Sequence, residues 1–202
     1  EGITRVVATP HIREKILPPD EITYTLQTLQ EELHKRDLHL KLLYGADVSA
    51  QLLPSLMHDY TINGTEYILV EFPYTHLSTL VFDRLFELYT HGLRPVITHP
   101  ERNPSVIRAP DNIIELANRG IIVQITTSSL TGGFGEDVRA CAIYLLKKKA
   151  VHVLATDAHS PSHRPPKFQD AISVVERLVG EEMAERLLYQ NPLRIIAGEV
   201  ID

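Results

Sequence analysis

The chain contains six short apolar runs, rich in β-branched residues, and each ends at a residue that can bind a metal, a phosphate or a proton. Helical patterns follow most of these runs. A regular alternation of strand and helix predicts a parallel sheet in an α/β fold. Because parallel strands end at the same edge, the polar residues should converge although they are far apart in sequence. The runs are VVATPH, LLYGAD, YILVE, PVITHPER, IIVQIT and VHVLATDAH.

Composition limits the class of protein. The 202 residues are 44% hydrophobic, which is enough for one core, so we expect a single domain over residues 1–202. The net charge of −6 and the scattered basic residues argue against nucleic-acid binding. No apolar run is long enough to cross a bilayer, so we expect no membrane insertion. The one cysteine, Cys141, excludes an internal disulfide and favours a cytoplasmic location.

The first residues resemble the middle of a domain. Glu1-Gly2 followed by ITRVVATPH is typical of a helix end, its glycine and a strand. Barrels of this kind usually need about 250 residues. We therefore expect that a first strand and helix are missing from this chain, and that this leaves an opening in the barrel wall beside the strand at residues 4–9.

Two segments are the most specific candidates for a metal site. Asp157 and His159 follow a strand and are two residues apart, so at an extended strand end their side chains point the same way. His99 ends another strand before a proline, and Arg102 could reach an anion on the same metal. The alternatives are that Asp157 only caps a turn and that the HPER segment is a salt-bridged loop.

Three further strand ends and one arginine are weaker candidates. Glu71 ends an apolar strand, where a carboxylate is costly unless it binds a metal or pairs with an arginine. His11 follows a proline and is equally consistent with a core histidine. Asp47 could belong to a plain turn. Arg164, shortly after the ATDAH segment, could bind an anion or lie on the surface.

Other hydrolytic chemistry is excluded or unsupported. A cysteine phosphatase needs an arginine six residues after its nucleophile, but Lys147 occupies that position relative to Cys141, which also lies in a helical pattern. No GxSxG, P-loop or GxGxxG motif occurs. His76 and His163 stay open as site residues. The histidines that we expect to be structural are His34, His39, His58, His91 and His152.

The segments ATPH, VEFP, THPERN and ATDAHS, in this order, resemble the polymerase and histidinol phosphatase superfamily. Within it, the chain is similar to bacterial manganese-dependent protein-tyrosine phosphatases of capsule and exopolysaccharide operons, over essentially its whole length. The resemblance implies a distorted (β/α)7 TIM-like barrel that holds a cluster of three divalent metals. Mn²⁺ is the expected cofactor, with Fe, Zn or Mg as alternatives.

The resemblance also implies roles for individual residues. Arg102 and Arg164 match phosphate-binding arginines. Two departures stand out: Asp47 is shorter by one methylene than the glutamate of the family, and the family's His-x-His strand with its aspartate is absent from this chain. Both changes are expected to weaken metal binding here. The residues matching metal ligands are His11, Asp47, Glu71, His99, Asp157 and His159.

The implied reaction is hydrolysis of a phosphoric monoester. Clustered metals lower the pKa of a bound water, which attacks phosphorus, while metals and arginines stabilise the equatorial oxygens. The implied substrate is the phosphotyrosine tail of a bacterial tyrosine autokinase that drives polysaccharide export. The alternatives are a phosphatase for a small molecule such as histidinol phosphate, and a non-catalytic barrel that docks on the kinase.

Overall fold

A computed structural model describes residues 2–74 and 79–201 of the chain. Its strands are short and parallel, and helices connect most of them, as the sequence predicts. The strands in the described residues are β1 (Arg5–Ala8), β2 (His11–Ile12), β3 (Lys41–Tyr44), β4 (Asp47–Ser49), β5 (Tyr67–Glu71), β6 (Arg94–Thr98), β7 (Ile122–Thr126) and β8 (Val153–Ala155).

The helices lie mainly between the strands and after β8. The segment between β4 and β5 contains 3₁₀ turns rather than an α-helix, among them Pro54–Leu56 and His58–Tyr60. The α-helices are α1 (Pro19–Lys35), α2 (Thr79–Thr90), α3 (Pro104–Arg108), α4 (Asp111–Asn118), α5 (Thr127–Leu130), α6 (Glu136–Lys147), α7 (Gln169–Val179), α8 (Glu181–Glu185) and α9 (Asn191–Ala197).

The strands form two adjoining parallel sheets. Six strands pair in the order β2-β4-β5-β6-β7-β8, and β1 pairs with β3 in a second sheet. Strands β3 and β4 are separated only by Gly45 and Ala46. A Cβ atom at Gly45 would lie 2.8 Å from Cγ1 of Val7, so the close approach of β1 at this break requires glycine. The two sheets are therefore successive parts of one curved wall.

Side chains on both faces of this wall are buried. In β5, Ile68 and Val70 belong to the larger core beneath the helices, whereas Tyr67 and Leu69 belong to a smaller core on the opposite face. This explains why the sequence of β5 is continuously apolar, since a parallel strand covered on both faces has no side that faces water.

The strands of residues 2–74 and 79–201 do not close into a barrel. Strands β1 and β8 are the outer strands, and no pairing between them is present in residues 2–74 and 79–201. A cavity of about 970 Å³, lined in part by residues of β1 and β8, lies at this opening. The opening is beside β1, where the sequence predicts it. No described helix has the length and apolarity needed to cross a membrane.

Candidate metal centre

Strand register brings four of the candidate ligands to one edge of the sheet. His11 in β2 is the direct partner of Asp47 in β4. Asp47 is in turn opposite Leu69, two residues before Glu71, so Asp47 and Glu71 lie on the same face of the sheet. Glu71 is opposite Thr98 in β6, and His99 follows directly. The register therefore brings the first residues of β2 and β4 beside the carboxyl ends of β5 and β6.

Three of these side chains are close enough to share a metal ion, and the side chain of His99 lies beside them. Ligand atoms of His11, Asp47 and Glu71 all lie within 4.8 Å of one another. His11 Nδ1 is 3.4 Å from Asp47 Oδ2, and His99 Nε2 is 3.8 Å from the same oxygen. His99 Nε2 is also 3.6 Å from Glu71 Oε1. Imidazole nitrogens mixed with carboxylate oxygens suit Mn, Fe and Zn, so this donor set fits a divalent metal.

Asp47 is the electrostatic centre of this group. Its side chain is only 6% exposed, and Thr98 Oγ1 donates a hydrogen bond to its Oδ1 at 3.0 Å. Burial alone would raise the pKa of Asp47, but the neighbouring His11 and His99 lower it to about 2. Burial likewise opposes the charged form of His99, yet Asp47 raises the pKa of His99 above its usual value. The Asp47 carboxylate is therefore ionised and available as a ligand at neutral pH.

The remaining two candidate ligands follow β8. His159 Nδ1 is 3.6 Å from Asp157 Oδ1, and it donates to the backbone oxygen of Asp157 at 2.9 Å. A carbonyl can only accept, so Nδ1 carries the proton and Nε2 keeps its lone pair. The ring centroids of His159 and His11 are 5.7 Å apart, which joins this pair to the first group.

The two predicted anion-binding arginines both contact Asp157. Arg102 Nη1 donates to Asp157 Oδ2 at 2.6 Å, and Arg164 Nη2 donates to the same oxygen. Asp157 at φ 48° and His99 at φ 36° have left-handed backbone conformations, which are uncommon outside glycine and cluster at functional sites. Asp157 is thus neither a simple turn cap nor solvated.

Comparison with known proteins agrees with this geometry. A family model described as capsular polysaccharide synthesis, CpsB/CapC, matches residues 1–197. The chain belongs to the CpsB/CapC family. The tyrosine-protein phosphatase YwqE of Bacillus subtilis is 31% identical over 209 residues, covering all of this chain and 81% of that protein. The tyrosine-protein phosphatase CpsB of Streptococcus agalactiae serotype III is 28% identical, covering all of this chain and 87% of that protein.

The fold of this CpsB/CapC chain also matches a solved structure. A chain from the crystal structures of YwqE from Bacillus subtilis and CpsB from Streptococcus pneumoniae, described as unique metal-dependent tyrosine phosphatases, gives a TM-score of 0.92. It is 30% identical, and the match covers 100% of this chain and 83% of that one. The parallel α/β architecture is therefore that of metal-dependent relatives.

Two residues of the CpsB/CapC site were missed by sequence reasoning. Arg13 donates to both carboxylate oxygens of Glu71, from Nε at 2.7 Å and from Nη2 at 2.8 Å. The ring of Phe134 lies 4.5 Å from the guanidinium carbon of Arg102 and 5.7 Å from that of Arg164. The spacing of Arg13 two residues after His11 could have indicated a shared face. The GGFG segment that contains Phe134 carried no comparable signal.

Glu101 is a buried polar residue next to the site. Its side chain is fully buried, and Oε1 accepts hydrogen bonds from Thr126 N at 2.9 Å and Ser129 Oγ at 2.6 Å. Burial raises the pKa of Glu101, although both hydrogen bonds oppose the shift. These hydrogen bonds connect the HPER turn to the end of β7. They thereby help to position His99 and Arg102, which belong to the same turn.

The remaining residues considered in the sequence are two histidines that could belong to the site, His76 and His163, and two residues that were not expected to, His152 and Cys141. His152 Nδ1 accepts a hydrogen bond from Val123 N at 3.1 Å, which agrees with a structural role. His163 is exposed. His76 lies outside the described residues. Cys141 is buried in α6, and burial, with Glu101 nearby, raises the pKa of its thiol to about 12, so it is unsuited to act as a nucleophile.

Proposed function

We propose that the chain is a metal-dependent tyrosine-protein phosphatase whose metal ligands are His11, Asp47, Glu71, His99, Asp157 and His159. The observation that carries this proposal is the meeting of carboxylates and imidazoles from separate strand ends within a few ångströms. The named activity of the relatives supports the reaction class. We propose Mn²⁺ as the metal, in a cluster of three, with Fe, Zn and Mg as the alternatives to test.

We assign metal binding and phosphate binding to different residues of the site. When bound, divalent metals supply Lewis-acid stabilisation and an activated water. His11, Asp47, Glu71 and His99 would hold one part of the cluster, and Asp157 with His159 the other. Arg102 and Arg164 would bind the phosphoryl oxygens, because a guanidinium matches them in a bidentate way.

The substrate that we propose is phosphotyrosine on the tail of a bacterial tyrosine autokinase, in the cytoplasm. Supporting it are the tyrosine-phosphatase names of the relatives and the capsule-synthesis description of the family. We also propose that residues 1–202 form a single domain whose open parallel sheet is a distorted TIM-like barrel with its opening beside β1. The two adjoining sheets and the break at Gly45 support this description.

The test compares two substrates and several metals. The protein is stripped with chelator, reloaded with Mn²⁺, Zn²⁺, Mg²⁺ or Fe²⁺, and assayed on a phosphotyrosine peptide and on histidinol phosphate. We expect Mn²⁺-dependent turnover of the peptide and little of histidinol phosphate, with metal content measured in parallel. The Asp157→Asn variant should lose activity. Preference for histidinol phosphate would instead assign a small-molecule phosphatase, and stoichiometric peptide binding without turnover would assign a docking protein.

A further inference from the structure

Arg13 occupies the same two oxygens that a metal would use on Glu71. Its guanidinium contacts both of them, at 2.7 and 2.8 Å, and its Nη2 lies 3.4 Å from His11 Nδ1. The Glu71 side chain is 14% exposed, whereas that of Arg13 is 52% exposed. The guanidinium therefore reaches from solvent into the group of His11, Asp47 and Glu71.

The same arrangement recurs at the other end of the site. Asp157 Oδ2 receives both Arg102 and Arg164. Arg102 and Arg164 are the residues proposed to bind phosphate, and each now contacts a proposed metal ligand. Arg13 likewise contacts a proposed metal ligand, Glu71, but it is more exposed than Arg102 and Arg164 and has no assigned role.

We propose that Arg13 is a third anion-binding residue of this active site. It contacts Glu71 until a metal takes the carboxylate oxygens, and it then binds the phosphoryl group of the substrate. The proposal rests on the proposed function, since it needs Glu71 to be a metal ligand. Both steps follow from charge. A divalent cation competes directly with a guanidinium for one carboxylate, and an arginine that loses its carboxylate is left beside the site where a phosphate dianion must sit.

The exchange couples the two ligands of the enzyme. While it contacts Glu71, Arg13 opposes metal binding, and once displaced it favours phosphate binding. Metal and phosphate should therefore each strengthen the binding of the other, because coupling between two sites is reciprocal. A purely structural salt bridge would add nothing to the coupling that direct contact between the metals and phosphate already gives, since its arginine would have no contact with the anion.

Calorimetry on the full chain separates these possibilities without relying on turnover. The variants are Arg13→Gln, Arg13→Lys and a matched control, Lys15→Gln, which removes an equal charge from an exposed position two residues away. Binding of Mn²⁺ is measured without and with inorganic phosphate, and binding of inorganic phosphate to the Mn²⁺-loaded protein is measured in the same way. Circular dichroism checks that each variant is folded.

Arg13→Gln should bind Mn²⁺ alone about three- to tenfold more tightly, because the competing cation is gone. Inorganic phosphate should bind the loaded variant about tenfold more weakly. Arg13→Lys should fall between these values, and Lys15→Gln should match the unchanged protein. The inference is overturned if the unchanged protein binds Mn²⁺ and Arg13→Gln leaves both constants unaltered, or if Arg13→Gln weakens Mn²⁺ binding. If the unchanged protein does not bind Mn²⁺, the proposed function fails and the inference falls with it.

Discussion

The two halves of the candidate site are held in place by different means. His11, Asp47, Glu71 and His99 are fixed by the register of neighbouring strands. Asp157, by contrast, lies two residues beyond the last paired residue of β8 and is held by two arginines. The half set by register carries the most buried carboxylate, whereas the half near β8 includes the 41% exposed ring of His159. Backbone pairing thus fixes one half, and side-chain charge fixes the other.

The largest expected effect tests this difference directly. Asp47→Asn should reduce phosphotyrosine-peptide turnover on the order of 10⁴-fold, as for loss of one member of a cooperating catalytic set. His159→Gln, in the more exposed half, should cost only about 10²-fold. Steady-state kinetics and metal analysis on both variants provide the measurement. Equal losses would show that the two halves do not differ in their hold on the metals.

The next effect concerns the arginines beside Asp157. Arg102→Ala and Arg164→Ala should each lower turnover by about 10²–10³, because each loses a preorganised contact to the phosphoryl oxygens. Metal content should be retained, since neither residue is a ligand. Cys141→Ser serves as the control and should leave the rate nearly unchanged, because the thiol is buried and its pKa is about 12. If Cys141→Ser had no activity while both arginine variants kept normal rates, the metal-dependent mechanism would be wrong.

A smaller effect is expected from the aromatic ring over these arginines. Phe134→Leu should raise KM and lower kcat/KM by roughly threefold to fivefold, the size of an exposed cation–π contact. Phe86→Leu is a matched control, because the ring of Phe86 lies 3.9 Å from the guanidinium carbon of Arg119, a pair on α2 and at the end of α4. The control should change thermal stability only. Equal kinetic effects of the two substitutions would remove any specific role for Phe134.

The smallest effect concerns stability rather than rate. Burial lowers the pKa of His152, so the folded protein favours the neutral ring more strongly than the unfolded chain does. The neutral ring of His152 contributes fully to the free energy of unfolding above the pKa of histidine in the unfolded chain, near 6.5. The contribution is lost as the pH falls through the lower pKa of His152 in the folded protein.

Denaturant unfolding at pH 7.5 and pH 5 measures this contribution. The fall in the free energy of unfolding between these pH values should be smaller in His152→Gln than in the unchanged protein. His91→Gln removes an exposed histidine and should leave the fall unaltered. An identical fall in all three proteins would contradict the assignment to His152.

The sequence predicted well those features that depend on neighbouring residues, such as the position of each candidate ligand. Each candidate ligand comes directly after an apolar run. Parallel strands end at a common edge, and this brings the ligands together. Arg13 and Phe134 were missed because their partners are distant in sequence: Arg13 meets Glu71 across 58 positions, and only its spacing from His11 indicated that it could share that face. The predicted TIM-like barrel is confirmed only as a parallel α/β fold, because barrel closure depends on pairing between outer strands such as β1 and β8, which the pattern of apolar runs does not determine.

The left-handed backbone at His99 and Asp157 has a consequence for how such a site can evolve. Holding a non-glycine residue in this conformation costs on the order of 1 kcal/mol. Selection for stability alone would favour glycine at both positions, yet glycine offers no imidazole and no carboxylate. A descendant that lost its catalytic duty would therefore be expected to drift towards glycine there first, so these two positions would record whether a related chain still acts as an enzyme.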